Sequence, residues 1–371
     1  MLIKFQDQPK LHKNIKNVLI KKFKKNIEKS DFILGDDIQI FESEFARYCG
    51  TKYAVGVSNG TDALKLAIKA LGLSKGDEVI IPAMTYISTA LSALYNGCKI
   101  KLCDINLEDG LINLKELKKI ITKRTKCIIP VNFNGNYILN SELKKITSNK
   151  IKIIYDASQS HGCIDHTKIK LNKINYLKDT KANSDAFISC YSLYPGKNLG
   201  ALGDAGIITT NNKKIYQKIL NLRNIGSSKR FIHDTIGFNN RLDTIQAAFL
   251  NIKLKYLDSQ NNNRRKNALF FDKNLKNNKI NLIKHKLGSV YHNYVLLVEN
   301  RNKFIKYLNK NNIQNNIHYP FSINNHAAIK KKFNGKSFIN AEKYAKKCIS
   351  IPVHPLLKKK ELIKIVKVIN N

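Results

Sequence analysis

Four side chains that can do chemistry follow short apolar runs of the sequence. Tyr86 comes after "EVIIP", Asp156 ends "IKIIYD" with Gln159 three residues later, and Lys197 lies between a Pro-Gly pair and a glycine-rich turn in "CYSLYPGKNLGALGDAG". A fifth position, Gly60 in "SNGTDALKL", opens a helix-like segment. Taken singly, each is compatible with a helix cap, a core aromatic or a turn residue. Because all follow runs that read as strands, we expect them to meet at one edge of a sheet.

Together these residue types match the needs of pyridoxal phosphate (PLP). Its aldehyde condenses with a lysine amine, here Lys197, and its phosphate suits a helix N-terminus, here Gly60 and Thr61. An aromatic ring such as that of Tyr86 stacks on the cofactor, and a carboxylate such as Asp156 keeps the pyridine nitrogen protonated. The sequence therefore predicts one PLP pocket in which Lys197 serves as both covalent anchor and acid–base group.

Hydrophobic patterning predicts the elements that position these side chains. Apolar runs at residues 53–57, 78–82, 99–104, 126–131, 151–156, 186–190 and 205–210 predict strands. Between them, "TDALKLAIKALG" and "NLKELKKIIT" have apolar residues at helical spacing. This alternation predicts an α/β fold with a mainly parallel central sheet between helices, in which ligands bind at the carboxyl ends of the strands.

The pattern of residue types along the sequence changes near residue 256. The preceding part alternates strand-like and helix-like segments, whereas "SQNNNRRKNALFFDKNLKNN" is polar and helix-like and is followed by the strand-like "VYHNYVLLVE" and a lysine-rich final helix. We expect a large PLP-binding domain with an N-terminal segment over residues 1–255 and a smaller α+β domain over residues 256–371.

Composition disfavours several classes of protein. The chain has 371 residues, of which 43% are hydrophobic, enough for a sizeable core. Its apolar runs are all shorter than the roughly 18 residues of a membrane helix, and its start lacks the apolar block of a signal peptide, so we expect a cytoplasmic protein. The 7 cysteines include no C-x-x-C pair, which favours buried free thiols over disulfides or a metal site.

The charge of the chain raises a non-enzyme alternative. Lysine and arginine number 65 against 27 acidic residues, giving a formal net charge of +38. Such a field attracts nucleic acid, so a basic nucleic-acid-binding regulator is the rival hypothesis. The lysines are scattered along the whole chain, however, and no zinc-finger or RNP motif accompanies them. We therefore expect a solvated basic surface, without a nucleic-acid or membrane partner.

The chain resembles the DegT/StrS-type nucleotide-sugar aminotransferases, which belong to fold-type I of the PLP enzymes. The likeness covers almost the whole chain and includes "ILGDDIQIFESEFARYCGTKYAVGVSNGTDALKL", "GDEVIIPAMTYISTA", "YDASQSHG", "YSLYPGKNLGALGDAG", "GFNNRLDTIQAAFLNIKL" and "SIPVHPLL". The chain departs from the family at three positions. Asn132 and Asn134 stand where the family usually has His and Tyr, and Ala205 replaces a common Gly.

The resemblance implies further cofactor contacts. Ser192 would join Gly60 and Thr61 at the phosphate, and Gln159 would bond the hydroxyl of the cofactor ring. Asn239, in "GFNNRLD", matches a residue that the family sends across a dimer interface to the cofactor phosphate of the neighbouring subunit. The resemblance therefore implies a homodimer with shared active sites.

The resemblance also implies the reaction: transfer of an amino group, by analogy from L-glutamate, to a nucleotide-linked keto sugar. Relatives that aminate C3 of dTDP-linked 3-keto-6-deoxyhexoses often carry His-Tyr-Pro where this chain has His318 and Tyr319 before a proline. With Tyr194 and Arg230 of the partner subunit, these would bind the substrate. The alternatives are a 4-keto aminotransferase and a PLP-dependent sugar dehydratase. The dehydratase branch that removes a 3-hydroxyl has His where this chain has Lys197.

Overall fold

The computed structural model describes residues 2–166, 180–333 and 335–371. The strands within these ranges are β1 (Tyr53–Val57), β2 (Glu78–Pro82), β3 (Lys99–Cys103), β4 (Thr125–Ile128), β5 (Lys152–Asp156), β6 (Ile164–Asp165), β7 (Thr180–Lys181), β8 (Ile188–Ser192), β9 (Gly206–Thr210), β10 (Ser227–Lys229), β11 (Ile232–His233), β12 (Ile280–Leu282), β13 (Tyr294–Val298) and β14 (Cys348–Ile351).

The α-helices of the described residues cover both faces of the main sheet and most of the C-terminal part. They are α1 (Gln8–Lys13), α2 (Lys16–Lys29), α3 (Asp36–Cys49), α4 (Gly60–Ala70), α5 (Ile87–Tyr95), α6 (Leu114–Ile120), α7 (Asn140–Lys144), α8 (Lys213–Arg223), α9 (Thr244–Leu254), α10 (Leu257–Asn274), α11 (Arg301–Lys310), α12 (Ile339–Lys347) and α13 (Lys359–Asn370). Within the three described ranges, no helix combines the length and the apolar character that a membrane span requires.

A sheet in the order β1-β9-β8-β5-β4-β2-β3 forms the centre of the described structure. The β3, β2, β4, β5 and β8 strands are parallel, and β9 runs antiparallel to both β8 and β1. The α/β class with a mainly parallel sheet is therefore confirmed. The carboxyl ends of β5 and β8 lie side by side, because Asp156 pairs with Cys190. The turns that follow these two strands are consequently neighbours.

All seven predicted strands are present, and their differing ends have physical causes. The run predicted to continue to residue 131 is continuous strand only to Ile128, because Pro130 has no N–H to donate, and Val131 then forms an isolated bridge with Asp156. The run predicted to stop at residue 190 continues to Ser192, because Tyr191 and Ser192 pair with β9. This extension carries Ser192 to the edge at which the candidate site lies.

Successive side chains of the sheet enter two apolar layers. Ile208 packs in the layer that includes Leu64 and Ile68 of α4, whereas its neighbour Ile207 packs on the opposite face with Phe41 of α3. All five are almost completely buried. Full burial of one such side chain contributes about 1.5–3 kcal/mol. Helices thus pack against both faces of the sheet, and the sheet edge is a rigid support for the residues beyond it.

The C-terminal part has its own antiparallel sheet, in the order β12-β13-β14. Successive residues of β13 join different cores: Leu296 packs with α10 and α13, and Leu297 packs with the core of the main sheet. The N-terminus also reaches this part of the molecule, because Ile3 is buried and forms a bridge with Ile313. The N-terminal segment therefore packs in the same apolar core as α10 and α13.

Candidate active site

The N-terminus of α4 supplies a phosphate cradle beside the end of β8. Asn59 caps the helix, and its side chain accepts a 2.8 Å hydrogen bond from the amide of Asp62. The amides of Gly60 and Thr61 precede this cap bond, and the first N–H groups of a helix have no partner within it. A Cβ on Gly60 would lie 2.6 Å from Cβ of Ser192, so a larger residue cannot pack here without displacing β8 or α4. Three predicted phosphate residues are thereby brought together.

A second helix meets this cradle. The hydroxyls of Thr61 and Ser88 lie 2.7 Å apart, which joins the first turn of α4 to the first turn of α5. Behind them, the Asn240 side chain donates to Asp62 at 2.8 Å and to the Ser58 hydroxyl at 3.2 Å. These bonds hold the positive ends of two helix dipoles toward the same region, where they favour an anion.

Asp156 ends β5 as a buried carboxylate. Its Oδ2 accepts a 2.8 Å hydrogen bond from the Thr89 hydroxyl, and its Oδ1 accepts one of 3.2 Å from the amide of Ser158. Among the described residues, none of the ion pairs includes Asp156. A buried carboxylate is costly without a cationic or strongly donating partner. A protonated ring nitrogen would meet that need.

Gln159 is held in one orientation. Its Oε1 accepts a 2.6 Å hydrogen bond from the amide of Asn134, and its Nε2 donates to the Tyr319 hydroxyl at 3.0 Å. Asn134 has a φ of 58°, in the left-handed region that asparagine tolerates better than most residues. Its side chain donates to the Tyr344 hydroxyl at 2.7 Å. The departure from the family at this position therefore lies next to a predicted cofactor residue.

Aromatic rings line one side of the site. Tyr86 stands at the start of α5 with 55% of its surface exposed, so its ring is free to stack on a ligand. Its centroid lies 5.4 Å from that of Tyr319, which in turn lies 5.9 Å from Phe133. Offset and tilted contacts at these distances stabilise aromatic clusters. Tyr319 thus joins the aromatic wall to Gln159.

Lys197 lies in a tight loop after β8. Its amide donates a 2.8 Å hydrogen bond to the carbonyl of Tyr194, closing a turn across Pro195 and Gly196. The next residue, Asn198, anchors the loop by donating to the side chain of Asn261 at 2.9 Å. Lys197 is half-buried, and burial lowers its pKa to about 8, although the negative charge of Asp156 acts in the opposite direction. The amine is therefore far more nucleophilic at neutral pH than an exposed lysine.

Three histidines are electrostatic neighbours of Lys197. Burial, with a smaller effect of the lysine charge, lowers the pKa of His161 to about 3 and that of His318 to about 4, and it lowers the pKa of His292 still more strongly. All three are consequently neutral at pH 7. His318 Nδ1 lies 2.8 Å from the Ser350 hydroxyl, which fixes the ring beside the site. None of the three imidazoles therefore places a positive charge beside the amine of Lys197 at pH 7.

Not all the predicted residues join this group. Tyr194 is 57% exposed, and Arg230 and Asn239 are exposed as well, although Asn239 is followed directly by Asn240, which binds Asp62. The Arg230 guanidinium lies 5.0 Å from the ring of Phe231 on the hairpin of β10 and β11, and Asn239 bridges to Asn224. In the described ranges neither makes a hydrogen bond or ring contact with the cofactor residues above. Their predicted roles require a second subunit and stay predictions.

Ser88, Thr89 and Ser350 were not predicted from the sequence, and Asn134 was marked only as a departure from the family. Thr89 could have been found, since it lies three residues after Tyr86 and thus on the same face of the first turn of α5. Asn134 acts on Gln159 through its backbone amide, for which the residue type gives no signal.

The residues present fit PLP. A helix N-terminus that excludes a Cβ, a buried carboxylate without an ionic partner, an oriented amide, an exposed aromatic face and a lysine of lowered pKa supply a partner for each part of the cofactor. The arrangement can hold the phosphate, the ring nitrogen and the aldehyde of one molecule at the same time.

Comparison with known proteins gives the same result. A family model described as the DegT/DnrJ/EryC1/StrS aminotransferase family matches residues 13–370. A dTDP-3-amino-3,6-dideoxy-alpha-D-galactopyranose transaminase from Aneurinibacillus thermoaerophilus is 35% identical, with the alignment covering 100% of this chain and 99% of the relative.

Two solved structures are similar over nearly the whole of this chain. DesV of S. venezuelae, in complex with a ketimine intermediate, superposes with a TM-score of 0.92 at 28% identity and covers 100% of this chain and 98% of its own. NtdA of Bacillus subtilis, with its bound cofactor PMP, has a TM-score of 0.88 at 25% identity and covers 99% of this chain and 84% of its own.

Proposed function

The chain belongs to the DegT/DnrJ/EryC1/StrS aminotransferase family, and we propose that it transfers the amino group of L-glutamate to C3 of a dTDP-linked 3-keto-6-deoxyhexose. It is a PLP-dependent sugar-nucleotide aminotransferase, as its family and relatives establish. The donor, the position on the sugar ring, the nucleotide and the roles of individual residues are the parts that we propose.

Lys197 and Asp156 carry the proposed chemistry. Bound PLP carries the amino group from one substrate to the other and draws electrons from the carbon beside the nitrogen. Lys197 Nζ takes the proton from the α-carbon of the amino donor and later delivers a proton to the sugar carbon that receives the nitrogen. Asp156 holds the proton of the ring nitrogen, and Thr89 keeps the carboxylate in place.

The proposed cofactor contacts come from the N-termini of α4 and α5, from the end of β8 and from the turn after β5. The amides of Gly60 and Thr61 and the hydroxyl of Ser192 bind the phosphate. Gln159 directs its Nε2 to the ring hydroxyl, since its Oε1 is already taken by the amide of Asn134. The exposed ring of Tyr86 covers one face of the cofactor.

The position of His318 is the observation that carries the 3-keto assignment. The ring is held 2.8 Å from the Ser350 hydroxyl, burial and to a smaller extent the charge of Lys197 lower its pKa, and the Tyr319 hydroxyl accepts a hydrogen bond from Gln159. The segment in which relatives acting on 3-keto sugars often carry His-Tyr-Pro thus contacts Gln159, a predicted cofactor residue, and this supports the assignment. The relative from Aneurinibacillus thermoaerophilus, a dTDP-3-amino-sugar transaminase by name, is in accord with this assignment.

We also propose a homodimer with shared sites. His318, Tyr319 and Tyr194 bind the nucleotide diphosphate from one subunit, and Arg230 of the partner subunit neutralises its charge. Asn239 reaches the cofactor phosphate of the neighbouring subunit. The support is that both residues are exposed and that neither makes a hydrogen bond with the cofactor residues of its own chain among the described residues.

An assay with two keto sugars tests the proposal. The purified protein is given PLP, L-glutamate and either a dTDP-3-keto- or a dTDP-4-keto-6-deoxyhexose, and 2-oxoglutarate and the amino sugar are measured by mass spectrometry and NMR. We expect amination at C3, and no product with Lys197→Ala. Amination of 4-keto sugars alone would overturn the C3 assignment, and product formation with L-glutamine in place of L-glutamate, but none with L-glutamate, would overturn the glutamate assignment.

A further inference from the structure

The first residues of the chain cross the loop that carries Lys197. We call residues 3–8 the amino-terminal strap. At one end Ile3 is buried and bridges to Ile313, and the amide of Phe5 donates to the side chain of Gln314 at 3.0 Å. These contacts tie the strap to the C-terminal part, so its remaining side chains are held over the end of β8.

Two glutamines of the strap bind the residues immediately before the lysine. Gln6 Nε2 donates a 3.0 Å hydrogen bond to the carbonyl of Gly196, and Gln8 Nε2 donates one of 2.9 Å to the carbonyl of Pro195. The two side chains also lie 3.4 Å apart, from Gln8 Nε2 to Gln6 Oε1. From this geometry we propose that Gln6 and Gln8 are positioning residues for Lys197.

The structure of the turn explains why these carbonyls need outside donors. Its internal hydrogen bond, from the Lys197 amide to the Tyr194 carbonyl, leaves the carbonyls of the two central residues, Pro195 and Gly196, unused. Partly buried carbonyls cost free energy when they lack a donor. On its other side Pro195 packs against Gly200, where a Cβ would lie 2.5 Å from the Pro195 carbonyl oxygen. The carbonyl is thus held between the strap and the loop.

Lys197 therefore has anchors on both sides. Before it the anchors are Gln6 and Gln8, and after it Asn198 donates to Asn261 at 2.9 Å and to the Val290 carbonyl at 3.2 Å. The direction of the lysine side chain depends on the backbone between these anchors. Glutamine is suited to this position because its neutral amide adds no positive charge, which would lower the pKa of Lys197 further.

The strap also touches the proposed substrate residue. The ring of Phe5 stacks on that of His318, with centroids 5.8 Å apart and planes inclined by 29°. This contact is separate from those of Gln6 and Gln8. Loss of the glutamines should therefore weaken cofactor binding and lower kcat more than it changes the KM for the sugar.

The test compares the double variant Gln6→Met/Gln8→Met with Lys10→Ala. Methionine has about the length of glutamine without its donors, and Lys10 binds the Leu356 carbonyl at 3.4 Å, away from the lysine turn. Amide hydrogen exchange of residues 194–201 is measured in the PLP-free protein. We expect exchange in the double variant to be about tenfold faster, the effect of losing one or two modest hydrogen bonds, with wild-type exchange in Lys10→Ala. The single variants should fall between.

The consequences for the cofactor are read from its visible absorbance. In the double variant we expect the pH midpoint of the PLP band to shift, PLP to bind about tenfold more weakly and kcat to fall, with the KM for the sugar little changed. The inference would be overturned if the double variant kept the wild-type amide exchange rates and pH midpoint, or if Lys10→Ala changed both quantities to the same extent. It rests on the proposed role of Lys197, which fails separately if Lys197→Ala retains the visible band.

Discussion

Thr89 donates a 2.8 Å hydrogen bond to Oδ2 of Asp156, joining the first turn of α5 to the end of β5. The Thr85 hydroxyl lies 2.9 Å from that of Thr89, and both threonines are buried. Because the Thr89 proton goes to the carboxylate, Thr85 is the donor in the second bond. A chain of two hydroxyls therefore fixes how the Asp156 carboxylate faces the cofactor.

Thr89→Val should slow the reaction without emptying the site. Loss of a hydrogen bond to a charged group costs about 1.5–3 kcal/mol, which corresponds to a kcat lowered about 10- to 100-fold. Thr89→Ser keeps the hydroxyl and should stay close to the wild type. Steady-state kinetics with PLP in excess make the comparison, and equal rates for the valine and serine variants would show that Asp156 needs no such partner.

The pKa of Lys197 predicts how the PLP-free protein captures its cofactor. Burial lowers this pKa from 10.5 to about 8, so the neutral nucleophile increases as pH rises through that value. The rate of covalent PLP capture should therefore rise with a midpoint near pH 8 and level off above it. Since the charge of Asp156 acts to raise the pKa, Asp156→Asn should move the midpoint to lower pH. Stopped-flow absorbance measures both, and a midpoint near 10 in the wild type would be inconsistent with this account.

The main sheet was predictable because its strands are short and most of their residues are apolar and buried. The last residues of β8 and β4 were less predictable, since they depend on pairing with β9 and on Pro130. The helix "TDALKLAIKALG" was correctly placed, and Gly72, with a φ of 75°, lies just beyond its end. Local sequence carries this information.

The contacts that position the site were not predictable in the same way. Thr89 lies 67 residues from Asp156, and Gln6 lies 190 residues from Gly196. Such pairs form because the fold brings distant segments together, and a polar residue near the N-terminus gives no sign of its partner. Lys197 and Asp156, by contrast, could be predicted because the chemistry of PLP requires those residue types.

Mixing two inactive variants tests whether the site is shared between subunits. Lys197→Ala lacks the nucleophile, and Asn239→Asp should repel the cofactor phosphate of the neighbouring subunit. A heterodimer of the two would keep one site with both Lys197 and Asn239 intact, so part of the activity should return after subunit exchange. Each variant exchanged with itself is the control. If mass spectrometry shows heterodimers and the mixture stays inactive, Asn239 does not cross the interface.

His318→Ala should raise the KM for the keto sugar, by about tenfold, more than it lowers kcat. A group that binds the substrate and the transition state equally affects binding without changing the chemical step. His326→Ala is a matched control, since that ring packs on Phe321 with centroids 5.9 Å apart and only burial, without an effect of Lys197, lowers its pKa. A large loss of kcat with an unchanged KM would assign His318 to the chemical step instead.

The central claim is that Lys197, among the many basic residues of the chain, holds the cofactor. Borohydride reduction of the PLP-loaded protein makes that bond permanent, and mass spectrometry of a proteolytic digest locates it. The account predicts that the mass of the reduced cofactor is found on the peptide containing Lys197 and is absent from the Lys197→Ala variant. Recovery of the cofactor on a different lysine, with Lys197 unmodified, would contradict it.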